Sequence, residues 1–485
     1  MALVLVCALG TAAHADLATG RDKLIGGDYK TAISELVRVT GKDQRPARIL
    51  LARAQVATGD YAAAEGTLGP IARGKDAAAV EARILLDDIR QLTGRIADAR
   101  KDLEALHKDH PDDRAVRTAL AEVRYAQGDV LDAKALFDET IKEFDSQKLN
   151  LDDAQQLFQL AEAAKYTSQY ELANDSYRAA LKLDPKLTDV GVEWADLFSR
   201  KYASDLAAQT LEEVFKVNPN HPDAHAAMAG VIVETTYDLA AVRDHLAAAL
   251  AVNPKNVRAL RVRASIEIDR NEWDAAQKTL GQILAINSQD LEALAMKATI
   301  AWLRDDLKQY EAEKARAFAI NPKYAELFRI VSRSAVREHR YVEAIELEKE
   351  AIKLKPDYYE AMAGAGLGYL RLGNEKEGLE WLDKAAKGDQ YNVRTYNTLN
   401  LFENKIPKEY AFQATKNFKI RYHNEEKPAL ARYLEPTMER AFADMVRRYG
   451  FTPKTPVTLE LFADKSDYAV RTVGLPDIAA LGVCF

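Results

Sequence analysis

Residues 253–286 read NPKNVRALRVRASIEIDRNEWDAAQKTLGQILAI, and this stretch shows the unit from which most of the chain is built. Two segments with apolar residues at helical spacing lie on either side of a short polar break at Asn271-Glu272. Asn253-Pro254 opens the unit, and a proline cannot continue the hydrogen-bond ladder of a preceding helix. The stretch therefore predicts a helical hairpin that begins just after another hairpin has ended.

Two kinds of helix-ending signal recur along the chain, one between hairpins and one at the turn inside each hairpin. Closing pairs fall at steps of 34, 35, 34, 34 and 34 residues, at Asp184-Pro185, Asn218-Pro219, Asn253-Pro254, Asn287-Ser288, Asn321-Pro322 and Lys355-Pro356. A second series marks the turns inside the hairpins, at Gly27-Asp28, Gly59-Asp60, Gly94-Arg95, Gly128-Asp129, Gln169-Tyr170, Tyr202, Tyr237, Glu272-Trp273, Asp306-Leu307, Arg340-Tyr341 and Gly373-Asn374. This second series predicts eleven hairpins between Asp16 and about Glu403. A helix pair cannot bury its apolar face alone, so the hairpins must stack into a solenoid.

Small residues recur where the two helices of a hairpin must approach closely, at Ala161, Ala195, Gly230, Ala264, Ala298 and Gly366. Together with the series Ala173, Tyr177 and Ala180 and the closing proline, this pattern resembles the tetratricopeptide repeat family over residues 16–403. The resemblance implies a mostly α-helical fold, a right-handed superhelix of about eleven repeats. It also implies a concave wall lined by first helices that binds a peptide or another protein.

Four arginines are candidate groove residues. In the register of the family, Arg258 and Arg261 face the concave wall in one repeat, and Arg329 and Arg333 face it two repeats later. Two guanidinium groups on one helical face can bind a carboxylate in a bidentate manner. The family's Lys and Asn pattern for binding a C-terminal carboxylate is not matched here. The alternative is a solvated face, balanced by Glu267, Asp269 and Glu326.

Composition and missing motifs exclude several classes of function. Acidic residues outnumber basic ones by 74 to 67, for a net charge of −7, which disfavours nucleic acid as a partner. Cys7 and Cys484 are the two cysteines, too few for a disulfide framework or a cysteine zinc site. The 485 residues contain no His-Glu-x-x-His, Gly-x-Ser-x-Gly or P-loop motif. We therefore expect no catalytic residue, no metal site and no cofactor within this chain.

Two local patterns imitate sites. His221 and His225 stand four residues apart, a spacing that can offer two imidazoles to one metal, but His221 follows a turn and Pro222 opens the next helix. Gly364-Ala-Gly366-Leu-Gly368 imitates a phosphate-binding loop, yet it lies inside a predicted first helix. We interpret the glycines as close-packing positions and the histidines as ordinary side chains.

Residues 1–15 differ from the rest and predict a signal peptide. Leu3–Leu9 is an apolar run, and Ala13-His14-Ala15 has the small-x-small form of a cleavage site, with cleavage after Ala15. The run is far shorter than the roughly 20 apolar residues of a membrane span, and we expect no span elsewhere. Export to the periplasm or cell envelope follows from this interpretation. The alternative is a buried first helix of the fold.

Residues 404–485 break the period and predict a small, incomplete α/β domain. Phe418–Tyr422 and Val457–Ala463 alternate like strands on either side of a long helix over Pro428–Tyr449, an order that favours parallel strands. The segment resembles the opening of a peptidase MA-like (gluzincin-type) domain; the alternative is a small α/β cap on the solenoid. That resemblance implies a zinc-binding His-Glu-x-x-His further on, so zinc would belong only to a catalytic part beyond residue 485.

Three functional hypotheses follow. The first is an exported tetratricopeptide repeat scaffold, non-catalytic in this chain, that binds a protein or peptide in its groove. The second is a zinc metallopeptidase whose catalytic motif lies beyond residue 485. The third is an envelope assembly factor that shares the fold and differs only in its partner.

Overall fold

The computed structural model describes residues 16–476 and 480–485, and its helices form successive hairpins. Over residues 17–388 there are eleven helix pairs, as the sequence predicts. In chain order they are α1 (Leu17–Ile25) with α2 (Tyr29–Leu36), α3 (Gln44–Ala57) with α4 (Tyr61–Ala72), α5 (Ala77–Leu92) with α6 (Ile96–Asp109), α7 (Arg114–Ala126) with α8 (Val130–Asp145), α9 (Ala154–Tyr166) with α10 (Tyr170–Leu183), α11 (Thr188–Arg200) with α12 (Ser204–Val217), α13 (Pro222–Glu234) with α14 (Leu239–Val252), α15 (Val257–Asp269) with α16 (Trp273–Ile286), α17 (Leu291–Leu303) with α18 (Leu307–Ile320), α19 (Glu326–Arg337) with α20 (Tyr341–Leu354), and α21 (Tyr359–Arg371) with α22 (Glu375–Gly388).

The turn inside each hairpin places one residue in the left-handed conformation. Glycine takes this position with φ between 75° and 90° at Gly27, Gly59, Gly94, Gly128 and Gly373. Other residues take it with φ between 53° and 62° at Ser168, Tyr202, Tyr237, Asn271, Asp305 and His339. The predicted turn series is thus confirmed, because the same backbone geometry recurs whether or not glycine is present.

Close packing inside a hairpin requires small residues, as α21 and α22 show. A Cβ atom on Gly366 would stand 2.9 Å from the carbonyl oxygen of Gly378 and 2.8 Å from Leu382. Gly364 and Gly368 lie in the same helix against Glu348 and Ile345. The predicted packing role of this glycine-rich segment is confirmed, and the mostly α-helical hairpin solenoid is the fold of the chain.

After the last hairpin the chain forms α23 (Val393–Asn400), a π-helical turn over Leu401–Lys405, and α24 (Ile406–Glu409). A three-stranded sheet follows, with β1 (Tyr410–Ala414) antiparallel to β2 (Phe418–His423) and β2 parallel to β3 (Val457–Glu460). The predicted strands and their parallel order are confirmed, whereas β1 was not predicted.

Between β2 and β3 the chain runs through α25 (Lys427–Tyr449), and α26 (Lys465–Val473) follows β3. Pro436 lies inside α25, which continues past it without a break. Phe418, Ile420 and Tyr422 of β2 pack against apolar residues of α25, among them Leu434 and Phe442. The small sheet therefore has a core of its own.

Two compact units divide the chain. Unit 1 contains the described residues of Met1–Phe198, Ser204–Leu294 and Ala319–Pro322, and unit 2 contains those of Ser199–Ala203, Ala295–Phe318 and Lys323–Phe485. The predicted boundary between residues 403 and 404 stays a prediction. The predicted signal peptide falls on residues 1–15, outside the described residues. In the part of the chain that the structure describes, every helix is too short or too polar to span a bilayer.

Within unit 1, the closing asparagines contact the turns of much earlier hairpins. Asn218 donates from Nδ2 to the hydroxyl of Tyr29 at 3.0 Å, and Asn321 donates to the carbonyl of Ala126 at 3.0 Å. A Cβ atom on any of four turn glycines would overlap the side chain of one closing asparagine; the pairs are Gly27 with Asn218, Gly59 with Asn253, Gly94 with Asn287 and Gly128 with Asn321. We call these four contacts the seam. The seam joins each hairpin turn to the end of the fifth hairpin after it, so unit 1 coils back on itself.

Candidate functional site

Because unit 1 coils tightly, its first helices bring charged side chains toward one another. The side chain of Asp189 of α11 is 82% exposed, and although partial desolvation raises its pKa, the hydrogen bond from His221 together with the charge of Arg53 lowers that pKa below its usual value. Arg53 belongs to α3, four hairpins before α11. Charges of distant first helices therefore influence one another across the interior of unit 1. We call this charged surface of the first helices of unit 1 the inner wall.

A buried network of α9 and α11 forms the centre of the inner wall. Lys165 lies 2.5 Å from Glu162 and 2.9 Å from Glu193, and the hydroxyl of the fully buried Tyr177 donates to Glu162. Burial raises the pKa of Glu162, although Lys165 opposes this. Burial also tends to lower the pKa of Lys165, but Glu162 and Glu193 outweigh it and raise that pKa. The single ammonium group of Lys165 thus forms ion pairs with two carboxylates.

Two more carboxylates of the inner wall have too little positive charge beside them. Burial, and then repulsion by Glu162, raises the pKa of Glu122 of α7 well above its usual value. Burial raises the pKa of Asp88 of α5 to about 6, although Arg53 opposes this. Within the described residues Glu122 makes no hydrogen bond. Carboxylates with pKa values raised in this way, on an inward-facing surface, mark a candidate binding site.

The predicted groove arginines of unit 1 are neutralised by nearby acids. Arg258 pairs with Asp196 of α11, two hairpins earlier. Burial lowers the pKa of Arg258, but Asp196 and then Asp223 outweigh it and raise that pKa. Arg261 lies 2.6 Å from Asp290 and 3.2 Å from Glu292. Their charges are therefore matched within the chain.

Arg329 and Arg333 lie in unit 2, and the structure gives them different surroundings. The Arg329 residue is 7% exposed, lies 3.7 Å from Glu348 and donates to the carbonyl of Glu360. The Arg333 side chain is 57% exposed and lies 3.9 Å from Glu326. Of this pair, Arg333 is the arginine that solvent or a partner can reach.

The histidine pair separates in the structure. His221 caps the start of α13, where its Nδ1 accepts from the backbone N–H of Ala224 at 3.3 Å, and its Nε2 bonds to Asp189 at 2.9 Å. His225 instead places Nδ1 2.9 Å from Nδ1 of His245. Among residues 16–476 and 480–485, no group of three or more His, Cys, Asp or Glu side chains is arranged to hold a metal ion.

The inner wall carries more acid than base, which the sequence analysis missed. Seven carboxylates of the described residues interact there with four basic groups, an excess of three acidic groups (7 − 4); the acids are Asp88, Glu122, Glu162, Asp189, Glu193, Asp196 and Asp223, and the bases are Arg53, Lys165, Arg258 and His221. One clue was present, because Glu162 and Asp196 each directly follow the small residue of a first helix. That repeat position faces inward when the small residue packs against the second helix.

Comparisons with known proteins bear on the repeats. A tetratricopeptide repeat family model matches residues 93–148 and 332–393. In these two ranges the chain carries tetratricopeptide repeats. The crystal structure of yeast Tom70 is similar with 13% identity and a TM-score of 0.37, covering 89% of this chain and 95% of that chain. A tetratricopeptide repeat protein from Parabacteroides merdae shares 13% identity with a TM-score of 0.33, covering 49% of this chain and 93% of that chain.

No curated protein matches this chain. The family-model matches to the tetratricopeptide repeats end at residue 393. They do not reach residues 404–485, so the resemblance of that segment to a peptidase MA-like domain stays an expectation from the sequence.

Proposed function

We propose that this tetratricopeptide repeat chain is an exported scaffold that binds an extended, basic segment of a partner protein along the inner wall of unit 1. The acid surplus of that wall is the observation that carries the proposal. A positively charged segment complements the wall, and a polyanion such as nucleic acid is repelled by it.

The mechanism follows from the raised pKa values. Glu122 and Asp88 are ionised at a cost, because burial and neighbouring negative charge disfavour their charged forms. A lysine or arginine of the partner placed beside them removes that cost and adds a charge-assisted hydrogen bond. The gain is concentrated at these few positions, as is usual for protein interfaces. Arg258 contributes little to the binding of the partner, since Asp196 already neutralises its charge.

Binding of a fluorescent nona-lysine peptide to the full chain tests the proposal. We expect binding that weakens steeply with added salt, and at least about tenfold weaker binding after Glu122→Gln together with Glu193→Gln. Glu213→Gln is the matched control, because Glu213 is exposed on the second helix α12 and its ion-pair partner among the described residues is Lys216 in the same turn. Equal binding of a nona-glutamate peptide, or equal loss in the control, contradicts the proposal.

Export is a separate part of the proposal and rests on the pattern of residues 1–15. Expression of the full sequence in a bacterial host is expected to yield a periplasmic protein whose first residue is Asp16. A cytoplasmic product that retains residues 1–15 contradicts export and leaves the binding proposal intact.

A further inference from the structure

Three arginines of unit 2 converge on the C-terminal end of α26. Arg394 donates from Nε to the carbonyl of Val473 at 2.6 Å, and Arg371 donates from Nη2 to the carbonyl of Thr472 at 3.5 Å. Arg471, in the last turn of α26, donates from Nη2 to the carbonyl of Leu370 at 3.2 Å. The carbonyls at a helix end supply only about half a negative charge, which does not balance three cations.

Carboxylates do not make up the difference. In residues 16–476 and 480–485, no carboxylate forms an ion pair with Arg371 or Arg394. Arg471 lies 2.7 Å from Glu460, which also binds Arg421 at 2.6 Å. Because Arg421 has a second carboxylate, Glu375, at 2.5 Å, the charge without a carboxylate belongs to Arg371 and Arg394. Burial, and then the positive charge of Arg394, lowers the pKa of Arg371 to about 9. The cluster therefore holds surplus positive charge in a chain whose net charge is −7.

One hydrogen-bond donor of the cluster is buried and unused. The Arg471 side chain is 7% exposed, and its Nη1 has no hydrogen-bond partner in the part of the chain that the structure describes. Buried donors in native proteins are nearly always satisfied, by protein, water or a ligand. An acceptor that also carries negative charge would satisfy both this donor and the surplus charge.

We propose that Arg371, Arg394 and Arg471 form a binding site for an oxyanion, either a phosphate group or a carboxylate. The planar guanidinium fork matches both groups, and each arginine has more N–H donors than its present contacts use. The bound oxyanion would accept from Nη1 of Arg471 and neutralise the mutual repulsion of the three side chains. This site lies in unit 2 and is separate from the inner wall.

A purely structural role makes the opposite prediction for Arg371. If the arginines only cap α26, Arg371→Gln removes a cap and destabilises the chain equally in every buffer. If they form an anion site, Arg371→Gln removes the repulsion between the arginines when no anion is bound, and it also removes the stabilisation that a bound anion would give. The two interpretations therefore predict opposite changes in the stability of the anion-free chain.

Thermal unfolding of the full chain in phosphate, acetate or chloride at matched ionic strength distinguishes them. We expect phosphate or acetate to raise the unfolding midpoint by at least about 2 °C over chloride, and the more effective anion identifies the ligand chemistry. In Arg371→Gln the midpoint in chloride stays equal or rises, and the shift disappears. Arg432→Gln, at an exposed position of α25, is the control that keeps the shift.

Isothermal titration with inorganic phosphate or acetate, chosen by the first measurement, gives an independent readout. We expect one site per chain and at least about tenfold weaker binding in Arg394→Gln. Three results would each overturn the proposal: no midpoint shift in either anion, a shift that persists in Arg371→Gln, or a lower midpoint of Arg371→Gln by the same amount in all three buffers.

Discussion

Asn321 donates a hydrogen bond from its side chain to the backbone carbonyl of Ala126 at 3.0 Å, although the two residues stand 195 positions apart. The contact repeats at Asn287, which donates to the carbonyl of Gln91 at 3.3 Å. Closing asparagines thus do two things: they end a second helix, and they hold an earlier hairpin turn in place. The seam makes unit 1 narrow, which forces the charges of its first helices together.

The seam can be weakened at a single glycine. Gly59→Ala places a methyl group in a left-handed conformation (φ 76°) and against Asn253, so we expect a loss of about 2–4 kcal/mol in the free energy of unfolding. Gly373→Ala is the matched control, since Gly373 has φ 78° but open space around its Cβ position. It should lose only the backbone cost of about 1–2 kcal/mol. Equal losses in urea unfolding would mean that the seam contact adds no stability.

Asp87 gives the chain a defined pH dependence. Its side chain is fully buried, Oδ2 has no hydrogen-bond partner among the described residues, and burial followed by the charge of Asp102 raises its pKa to about 8. Between about pH 4 and 8 the folded state holds a proton that the unfolded state has lost, so stability falls as pH rises through this window, by up to about 1.4 kcal/mol per pH unit.

Asp87→Asn should flatten that slope. The free energy of unfolding, measured in urea at pH 5, 6, 7 and 8, is expected to fall less steeply in the variant than in the parent chain. Other carboxylates with raised pKa values, such as Glu348 with a pKa of about 7, contribute equally to the pH dependence of both proteins. Parallel pH profiles would show that Asp87 is ionised normally in the folded state.

Arg329 and Arg333 should respond differently to charge reversal. Arg329→Glu places a second negative charge beside the buried Glu348, and we expect a loss of about 3–5 kcal/mol in the free energy of unfolding. Arg333→Glu changes an exposed side chain and should stay within about 0.5 kcal/mol. Chemical denaturation of both variants measures the difference. A similar, small effect at both positions would contradict the burial of the Arg329–Glu348 pair.

The repeat architecture was predictable because its causes are local. A turn residue with positive φ, a cap and a proline act within a few residues, so their recurrence along the chain shows each hairpin directly. The strands Phe418–His423 and Val457–Glu460 were also evident from alternation. β1 was missed because Tyr410–Ala414 directly follows a helix and becomes a strand by pairing with β2.

The binding surface was less predictable because its causes are not local. The family register places Arg329 on the groove, but its burial depends on Glu348 and on the carbonyl of Glu360, which come from the two following helices. The register likewise places Arg258 on the concave wall as a candidate groove residue, and only the fold brings Asp196 to it from two hairpins away.

By itself, the sequence determined that apolar helix pairs with a period near 34 residues must stack on one another, because no pair can bury its own apolar face. Only the tertiary structure decided how tightly unit 1 coils, since coiling sums a small rotation at every interface between neighbouring repeats. That sum brings Gly27 to Asn218 and gathers Glu122, Glu162 and Glu193 on one wall.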